Sequence, residues 1–535
     1  MASTQNIKAR FRRVFHHAFI RSFLSNYQKQ FIKHNLNVFS PNRNENGKII
    51  LVELNDTASS TISYSYIANH LSKKHNAKIV AYKPRLPRNL FLKVIWNLRA
   101  IFGFSALSVF NSFGASSFIL PSLNRALREE SNSIYEKQID LIHNKYDVEK
   151  ITVKGILVGD LIYDYYLNFY KTPTIEIESK RFHYHLKFCI QVIVFWDNFF
   201  ATHEVMGLNT SHTVYSNALP LRIAIKYGCE SYQANESEVF RLSKQQVYSY
   251  ADFFEFKKIF TTLDEKQKSS GIKIAKERIE RRLSGEIGLD MSYSQKSAFM
   301  PSSKERLLKD NNKIKILLAP HCFFDSPHPF GNNLYPDVFE WLKQLIKISK
   351  LTDYDWYVKT HPDFLPKTKK LVNDFFQSHP QFTLLPSDAS HLQIVDEGID
   401  FVLTIYGTVG FEYAAMNKPV INASLTNPHI AFDFNINPKS REEYEDVLMN
   451  LADVDHKINI NEVYEYYYMK NIYYNKNWLF SNFDEFTKAN GGRANANVNH
   501  ETYPYWIENW SEKRHEEILA SLDKFTASNE YKLIV

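Results

Sequence analysis

Short apolar runs separated by longer amphipathic segments mark the first half of the chain. KIILVEL at 48–54 and AKIVAY at 77–82 are typical of buried parallel strands, and the segment between them has helical spacing. KGILVGD at 154–160 repeats the pattern and predicts a strand that ends at Gly159-Asp160, followed by a helix. Strands that alternate with helices predict a doubly wound sheet, which is an α/β fold.

A second series of strands and helices follows, and each of its strands ends on polar residues. The segments are LLAPHCFFDSPHP at 317–329, WYVKTHPD at 356–363 and FVLTIYGTVGFEYAAMNKPVI at 401–421. In open α/β sheets, ligands bind beyond the carboxyl ends of the strands. Three such strand ends therefore predict a single ligand site in this part of the chain.

The length of 535 residues exceeds what one hydrophobic core supports, so at least two domains are expected. The polar, charge-rich residues 264–312 are the best candidate for a linker. We therefore predict a Rossmann-like domain over 1–263, the linker, a second Rossmann-like domain over 313–435, and a helical tail over 436–535 that packs back across the domains.

Glycine and cysteine usage narrows the chemistry and the compartment. Only 16 glycines occur, and neither G-x-G-x-x-G nor G-x-x-x-x-G-K-[ST] is present, which disfavours a glycine-rich dinucleotide or P-loop site. The three cysteines have no metal-ligand spacing, so a reducing cytoplasm is the simplest compartment. No apolar core of a secretory signal follows the basic N-terminal residues.

Positive charge is concentrated near the N-terminus. Residues 1–128 hold 19 Lys and Arg but three acidic residues, whereas the whole chain has a net charge of +7. Residues 8–34 and 85–120 mix basic with aromatic and aliphatic side chains, but no uncharged apolar run is long enough to span a membrane. These segments predict contact with an anionic membrane surface rather than with nucleic acid, which would place the protein at the inner membrane. The alternative is a helix packed on the core with a solvated basic face.

Two motifs predict a phosphate site. Lys359, Thr360, His361 and Pro362 follow an apolar strand, where a cation or a hydrogen-bond donor would neutralise a departing phosphate. The alternative is a strand end with a solvated lysine and a capping histidine. The second motif is a strand, a tight turn and a helix start, whose free N–H groups suit a phosphate. Its members are Thr404, Tyr406, Gly407, Thr408 and Glu412.

Other roles are predicted for residues near these motifs. Glu412 is expected to accept a hydrogen bond from a ribose hydroxyl, although Thr408 could instead be the N-cap of a helix that binds no ligand. His321 and Asp325 are expected to shape the donor pocket, where His321 could act on a carboxylate or phosphate or serve as a base. The alternative for His321 is a loop histidine in water.

The acceptor-activating group is expected in the first domain. Asp160 is the first choice, because the strand predicted to end there would direct it into the cleft, and His212 is the second. Arg222 is a candidate for binding a substrate carboxylate. Further candidates in this half are Asp164, Glu176, Glu178, Asp197, His203 and Glu204.

The motifs together resemble bacterial surface-carbohydrate and capsule-biosynthesis glycosyltransferases with the GT-B fold, in which two Rossmann-like domains face a cleft. The resemblance rests on H-x-x-x-D, P-D-x-x-E-W-L, V-K-T-H-P and T-x-x-G-T-x-G-x-E-x-A-x-x-x-K-P-V-I, together with H-T-V-Y in the first half. The KTHP and GTxGxE segments are similar to those of transferases that use CMP-activated ulosonic acids such as Kdo. In those relatives the matching residues hold CMP, which implies that role for His361, Pro362, Thr404 and Thr408.

The resemblance implies a metal-independent transferase, with no cofactor beyond a CMP-linked sugar as co-substrate and a lipid-linked surface polysaccharide as acceptor. Two alternatives remain open. One is a glycerol- or ribitol-phosphate transferase with a CDP-linked donor, and the other is a non-catalytic GT-B scaffold of a polysaccharide assembly complex.

Overall fold

The computed structural model describes residues 24–39, 47–55, 57–87, 94, 106–287, 289–290, 297–300, 305–361, 366–474 and 477–535. Pro362 and much of the two basic segments near the N-terminus lie outside these ranges. None of the described helices is both long and apolar enough to cross a membrane.

The first sheet has six strands in the order β3-β2-β1-β6-β7-β8. Neighbouring strands are parallel except for β7 and β8, which pair antiparallel. Every residue of β1 is buried, as expected for a parallel strand covered on both faces. Alternate β1 residues enter two different cores, Ile49 and Leu51 on one side and Ile50 and Val52 on the other. The strands are β1 Ile49–Glu53, β2 Lys78–Tyr82, β3 Ala115–Ile119, β6 Val205–Thr210, β7 Glu230–Ala234 and β8 Val239–Leu242.

Helices cover both faces of this sheet, and their apolar residues complete the two cores. The α-helices that the structure describes before the second sheet are α1 Asn26–Val38, α2 Ala58–His75, α3 Ala106–Ser112, α4 Arg125–Ile139, α5 Lys145–Glu149, α6 Gly159–Tyr170, α7 Lys180–Thr202, α8 Ala218–Lys226, α9 Phe256–Thr262 and α10 Glu265–Leu283. Helix α10 lies inside the segment that composition predicts as a linker and packs on the C-terminal tail.

The strand predicted over 154–160 is wrong. Two short strands, β4 Thr152–Val153 and β5 Ile156–Leu157, form an antiparallel hairpin outside the main sheet. Gly159 and Asp160 belong to the first turn of α6 rather than to a strand end. A Cβ at Gly159 would lie 2.1 Å from the Val148 carbonyl oxygen, so glycine is needed there for close packing between α5 and α6.

The second sheet has five parallel strands in the order β11-β10-β9-β12-β13. Since β9 lies between β10 and β12, the strand order reverses at β9, and such a switch point is where doubly wound sheets bind ligands. The strands are β9 Lys315–Leu318, β10 Asp355–Val358, β11 Phe382–Leu384, β12 Phe401–Thr404 and β13 Val420–Asn422. The helices that accompany them are α11 Val338–Ser349, α12 Pro366–Gln377, α13 His391–Asp396, α14 Val409–Ala415 and α15 Arg441–Met449.

The C-terminal tail is helical and returns to the first unit. Tyr503 in the tail hydrogen-bonds Thr61 of α2 at 2.7 Å, and Thr526 hydrogen-bonds His70 of the same helix at 2.8 Å. Tail aromatic residues such as Trp506 share a core with α2. The tail contains α16 Ile460–Tyr468, a π-helix over Met469–Tyr473, α17 Phe483–Ala489, α18 Arg493–Val498, α19 Thr502–Asn509 and α20 Glu512–Ala527.

A buried ionic group joins the two α/β units, and we call it the domain clamp: His328, Asp164 and Glu149. His328 lies in the second unit, with Nδ1 2.6 Å from Asp164 Oδ1 and Nε2 2.8 Å from Glu149 Oε1. Burial alone would lower the pKa of His328, but the two carboxylates outweigh it and raise that pKa well above its usual value.

The chain thus contains two α/β units, each built on a mainly parallel sheet, and a helical tail. The predicted fold class is confirmed.

Candidate active site

A cavity of about 750 Å³ lies between the carboxyl ends of the two sheets. Its walls come from both units, and its size is that of a small-molecule site. The predicted residues that line it are His212, His321, Asp325, Lys359, Thr360, His361, Thr404, Tyr406, Gly407 and Thr408. The sequence motifs after β9, β10 and β12 are therefore brought together at the switch point of the second sheet.

His321 supports the turn after β12. The Tyr406 N–H donates to His321 Nε2 at 3.5 Å, and Thr404 Oγ1 is 3.3 Å from the same nitrogen. Burial lowers the pKa of His321 to about 4, so the ring is neutral and its Nε2 can accept both contacts. A Cβ at Gly407 would lie 2.8 Å from Thr404 Oγ1, which explains the glycine in this turn.

Lys359 provides a buried cation at the end of β10. Its Nζ is 3.3 Å from His391 Nε2, and His391 Nδ1 is 2.7 Å from the Tyr413 hydroxyl. Burial lowers the pKa of Lys359 to about 8, and burial followed by the charge of Lys359 lowers the pKa of His391 well below its usual value. The lysine therefore carries its charge at neutral pH beside a neutral histidine, where an anion would be stabilised.

Lys470 adds a second cation that sequence reasoning missed. It lies on the π-helix of the tail and lines the same cavity, half-buried. Within the described part of the chain it makes no hydrogen bond or ion pair. The π-helical turn is a rare element that, where it occurs, is often found at a functional site. No local sequence pattern predicts this one.

His212 lies across the cavity, at the end of β6 in the first unit. Buried Glu53, at the end of β1, accepts hydrogen bonds from the Ser211 N–H at 2.7 Å and the Ser211 hydroxyl at 2.9 Å. His212 Nδ1 is 2.8 Å from Ser211 Oγ. Because the Ser211 hydroxyl donates to Glu53, the Ser211 oxygen is placed to accept from His212 Nδ1–H, a pairing that in the neutral tautomer leaves the lone pair on Nε2. Strands β1 and β6 are neighbours at the switch point of the first sheet, which places His212, Ser211 and Glu53 opposite the motifs that follow β9, β10 and β12.

Two predicted residues, Asp160 and Arg222, pair with each other away from the cavity. Arg222 Nη2 is 2.6 Å from Asp160 Oδ2, and the Tyr248 hydroxyl donates to the same oxygen at 2.8 Å. Both charged residues are buried and absent from the cavity lining. The expectation that Asp160 faces the cleft is therefore wrong, because Asp160 lies in the first turn of α6 rather than at the end of a sheet strand, and it pairs with Arg222 inside the first unit.

Glu412 and Asp325 are also held by arginine or tyrosine partners. Arg282 binds Glu412 through Nη2 at 2.5 Å and Nε at 3.0 Å, and Glu412 does not line the cavity. Asp325 does line it, and the Tyr215 hydroxyl of the first unit donates to its Oδ1 at 2.5 Å. Across the described ranges, no group of three or more His, Cys, Asp or Glu side chains is arranged to hold a metal ion.

No protein-family description and no curated protein matches the chain. Three solved structures illustrate its similarity to known folds. Thermosulfurimonas dismutans KpsC, a β-Kdo 2,4-transferase, is 10% identical over 49% of this chain and 79% of that one, with a TM-score of 0.32. A UDP-GlcNAc 2-epimerase from Methanocaldococcus jannaschii, bound to UDP-GlcNAc and UDP, is 11% identical over 78% and 97%, with a TM-score of 0.22. A glycosyltransferase from Rickettsia africae is 12% identical over 87% and 100%, also with a TM-score of 0.22. Scores this low carry no conclusion about substrate or activity, and the fold described above rests on the strand orders and the cavity between the sheets.

Proposed function

We propose that the protein is a glycosyltransferase that moves a sugar from a nucleotide-linked donor to a lipid-linked surface polysaccharide, with a CMP-linked ulosonic acid such as Kdo as the preferred donor. One observation carries the proposal: a pocket at the switch point of one sheet holds cations and hydroxyls, and the opposite sheet presents a histidine with a free ring nitrogen. These are the two halves of a group-transfer site.

The donor phosphate belongs on the side of the second unit. Lys359 and Lys470 supply positive charge, and the hydroxyls of Thr404 and Thr408 line the same cavity. Charge that develops on a departing phosphate is stabilised most by groups that are already fixed in a partly water-excluded site. Lys359 fits this role because its neighbours hold it within the pocket wall.

His212 is the residue that we assign to acceptor activation. Its Nε2 would take the proton from an acceptor hydroxyl as that oxygen bonds to the anomeric carbon of the donor, while the bond from that carbon to the phosphate oxygen breaks and CMP leaves. General-base assistance of this kind typically contributes about 10²- to 10⁴-fold in rate. The Ser211 and Glu53 side chains orient the ring.

The decisive experiment is calorimetric titration of the purified chain with CMP, UDP and GDP, followed by turnover assays with CMP-Kdo. CMP should bind more tightly than the other two nucleotides. Equal affinity for all three, or none for any, would remove the support for a CMP-linked donor. Release of free sugar in the absence of acceptor distinguishes a sugar donor from a polyol-phosphate donor.

Lys359→Ala should weaken CMP binding by about 10- to 100-fold, since a hydrogen bond to a charged group contributes about 1.5–3 kcal/mol. In the native chain, CMP affinity should fall as pH rises through about 8, because Lys359 loses its charge there while the nucleotide phosphate stays ionised. Calorimetry between pH 7 and 9.5 measures both effects. Lys370→Ala, an exposed lysine on α12, is the matched control. A flat pH profile together with unchanged affinity in Lys359→Ala would exclude this phosphate site.

Membrane contact is expected to reside in residues 1–128 and to be partly electrostatic. Each Lys or Arg near an anionic surface contributes about 1 kcal/mol, and salt screens that attraction. Co-sedimentation with phosphatidylserine-containing vesicles should therefore exceed that with neutral vesicles and should decrease as salt is added. Equal binding to both vesicle types, or binding to neither, would contradict the expectation.

A further inference from the structure

A second cavity, of about 590 Å³, adjoins the candidate active site on the side of the C-terminal tail. We call it the tail chamber. It shares the wall residues Tyr250, Thr408, Tyr466 and Lys470 with the first cavity, so the two cavities are neighbours. The sequence motifs do not predict it as a whole, because its walls combine the turn between β7 and β8, α10 and α14 with Lys532 and with side chains from residues 466–474 and 477–485 of the tail.

The lining of the tail chamber mixes aromatic rings with short polar side chains. The rings are those of Tyr250, Phe411, Tyr466, Tyr467, Tyr474, Phe480 and Phe483, and the uncharged polar side chains are those of Ser237, Asn471, Asn477, Ser481 and Asn482. A sugar has apolar C–H faces that pack on aromatic rings and a rim of hydroxyls that exchange hydrogen bonds with amides and serines. This combination fits a saccharide better than an apolar ligand or a lipid chain.

Most charges that face the tail chamber are already neutralised by partners in the wall. Lys532 Nζ is 2.7 Å from Glu238 and 3.0 Å from Asp252. Asp290 is paired with Arg278 at 2.6 Å and accepts from the Tyr467 hydroxyl at 2.7 Å. The chamber interior therefore presents little net charge apart from Lys470 at the junction.

Two exposed carboxylates belong to the lining of the tail chamber. Asp484 and Glu485 line it and are exposed, and neither forms an ion pair within the described part of the chain. These two carboxylates would repel a polyanion that approaches the chamber and would leave a neutral molecule unaffected. The charge distribution thus favours an uncharged saccharide over an acidic one.

The position of the first cavity determines which way a saccharide bound in the tail chamber would point. The side chains of Lys470, Thr408 and Tyr250 line both cavities. His212 lines the first cavity only. A saccharide that fills the chamber would project its terminal residue past these side chains toward His212. The bound donor would meet that residue from the side of Lys359.

We propose that the tail chamber binds the terminal sugars of a neutral acceptor saccharide and directs its end hydroxyl to His212. This inference rests on the proposed function, because an acceptor site has meaning only beside a donor site. It assigns the C-terminal tail to acceptor selection, while the nucleotide is held by the second sheet.

The test uses the full chain loaded with CMP and saturation-transfer NMR. The probes are neutral oligosaccharides of two to six units, built from glucose, galactose, mannose or N-acetylglucosamine, with oligosialic acid as the anionic comparison. Ser481→Trp fills an exposed lining position with a large ring, and Ser378→Trp makes the same change at an exposed position on the second unit, outside the chamber. Tyr474→Ala removes one ring from the wall.

At least one neutral probe should bind the native chain and the Ser378→Trp control. Ser481→Trp should abolish that binding, and Tyr474→Ala should reduce it by about two- to tenfold, the contribution of one aromatic contact. CMP affinity should be unchanged in all three variants. The proposal fails if no neutral probe binds, if both chamber variants bind as the native chain does, or if oligosialic acid binds more tightly. A native chain that binds a neutral probe in the chamber but not CMP would instead overturn the proposed function.

Discussion

His212→Ala should lower turnover by about 10²- to 10⁴-fold while CMP affinity and the fold are preserved. The ring is exposed in the cavity and forms one hydrogen bond to Ser211, so its removal leaves no buried group without a partner. Steady-state kinetics with CMP-Kdo, alongside CMP calorimetry, separate the rate effect from binding. Imidazole added to His212→Gly should restore part of the activity.

Ser211 and Glu53, which orient the His212 ring, allow a second and more specific test of this prediction. Glu53→Gln places an amide where the carboxylate accepts the Ser211 hydroxyl, so the direction of the Ser211 hydrogen bonds, and with it the tautomer of His212, is no longer fixed. We expect kcat to fall with little change in KM, and imidazole not to rescue this variant. His203→Ala, an exposed histidine at the end of α7, is the matched control. Near-normal turnover in His212→Ala would place the base elsewhere in the first unit.

His328→Ala should lower the free energy of unfolding by about 3–5 kcal/mol, because it leaves Asp164 buried and without its cationic partner. Urea unfolding of the purified chain measures the change. His143→Ala, an exposed histidine near the same interface, should cost about 0.5 kcal/mol or less.

The domain clamp also predicts how stability responds to pH. The pKa of His328 is raised in the folded chain, so its contribution is complete below the unfolded value of about 6.5 and is lost as pH rises through the folded value. Native stability should therefore decline on the alkaline side more steeply than that of His328→Ala. Parallel pH profiles for the two chains would show that folding leaves the pKa of His328 unshifted, which would contradict the clamp.

The sequence identified the second sheet well, because three apolar runs each end in a polar motif and the parallel topology brings such ends together. It failed at Asp160 because a short apolar run followed by glycine looks the same whether it forms a sheet strand or a hairpin before a helix. Gly159 begins a helix because it packs on the Val148 carbonyl oxygen, and no local sequence pattern predicts that contact.

Contacts between residues that are far apart in the chain could not be predicted from the sequence either, because no local pattern connects the two partners. Glu53 and Ser211 are 158 positions apart, and Arg282 and Glu412 are 130 apart. Glu53 and Ser211 are neighbours only because β1 and β6 lie side by side in the sheet. Arg282 reaches Glu412 only because α10 packs against the second unit. Lys470 could not be recognised at all, because nothing near it in sequence distinguishes it from a surface lysine.

The return of the tail to α2 has a consequence for synthesis on the ribosome. The side of α2 that carries Thr61 and Tyr66 is covered by Tyr503, Trp506 and the residues after them, which emerge long after the first sheet has left the exit tunnel. At about 5–20 residues per second, that delay is roughly 10–50 s. During this interval the first unit presents an uncovered apolar face, so the nascent chain depends on protection from aggregation until its last helices are made.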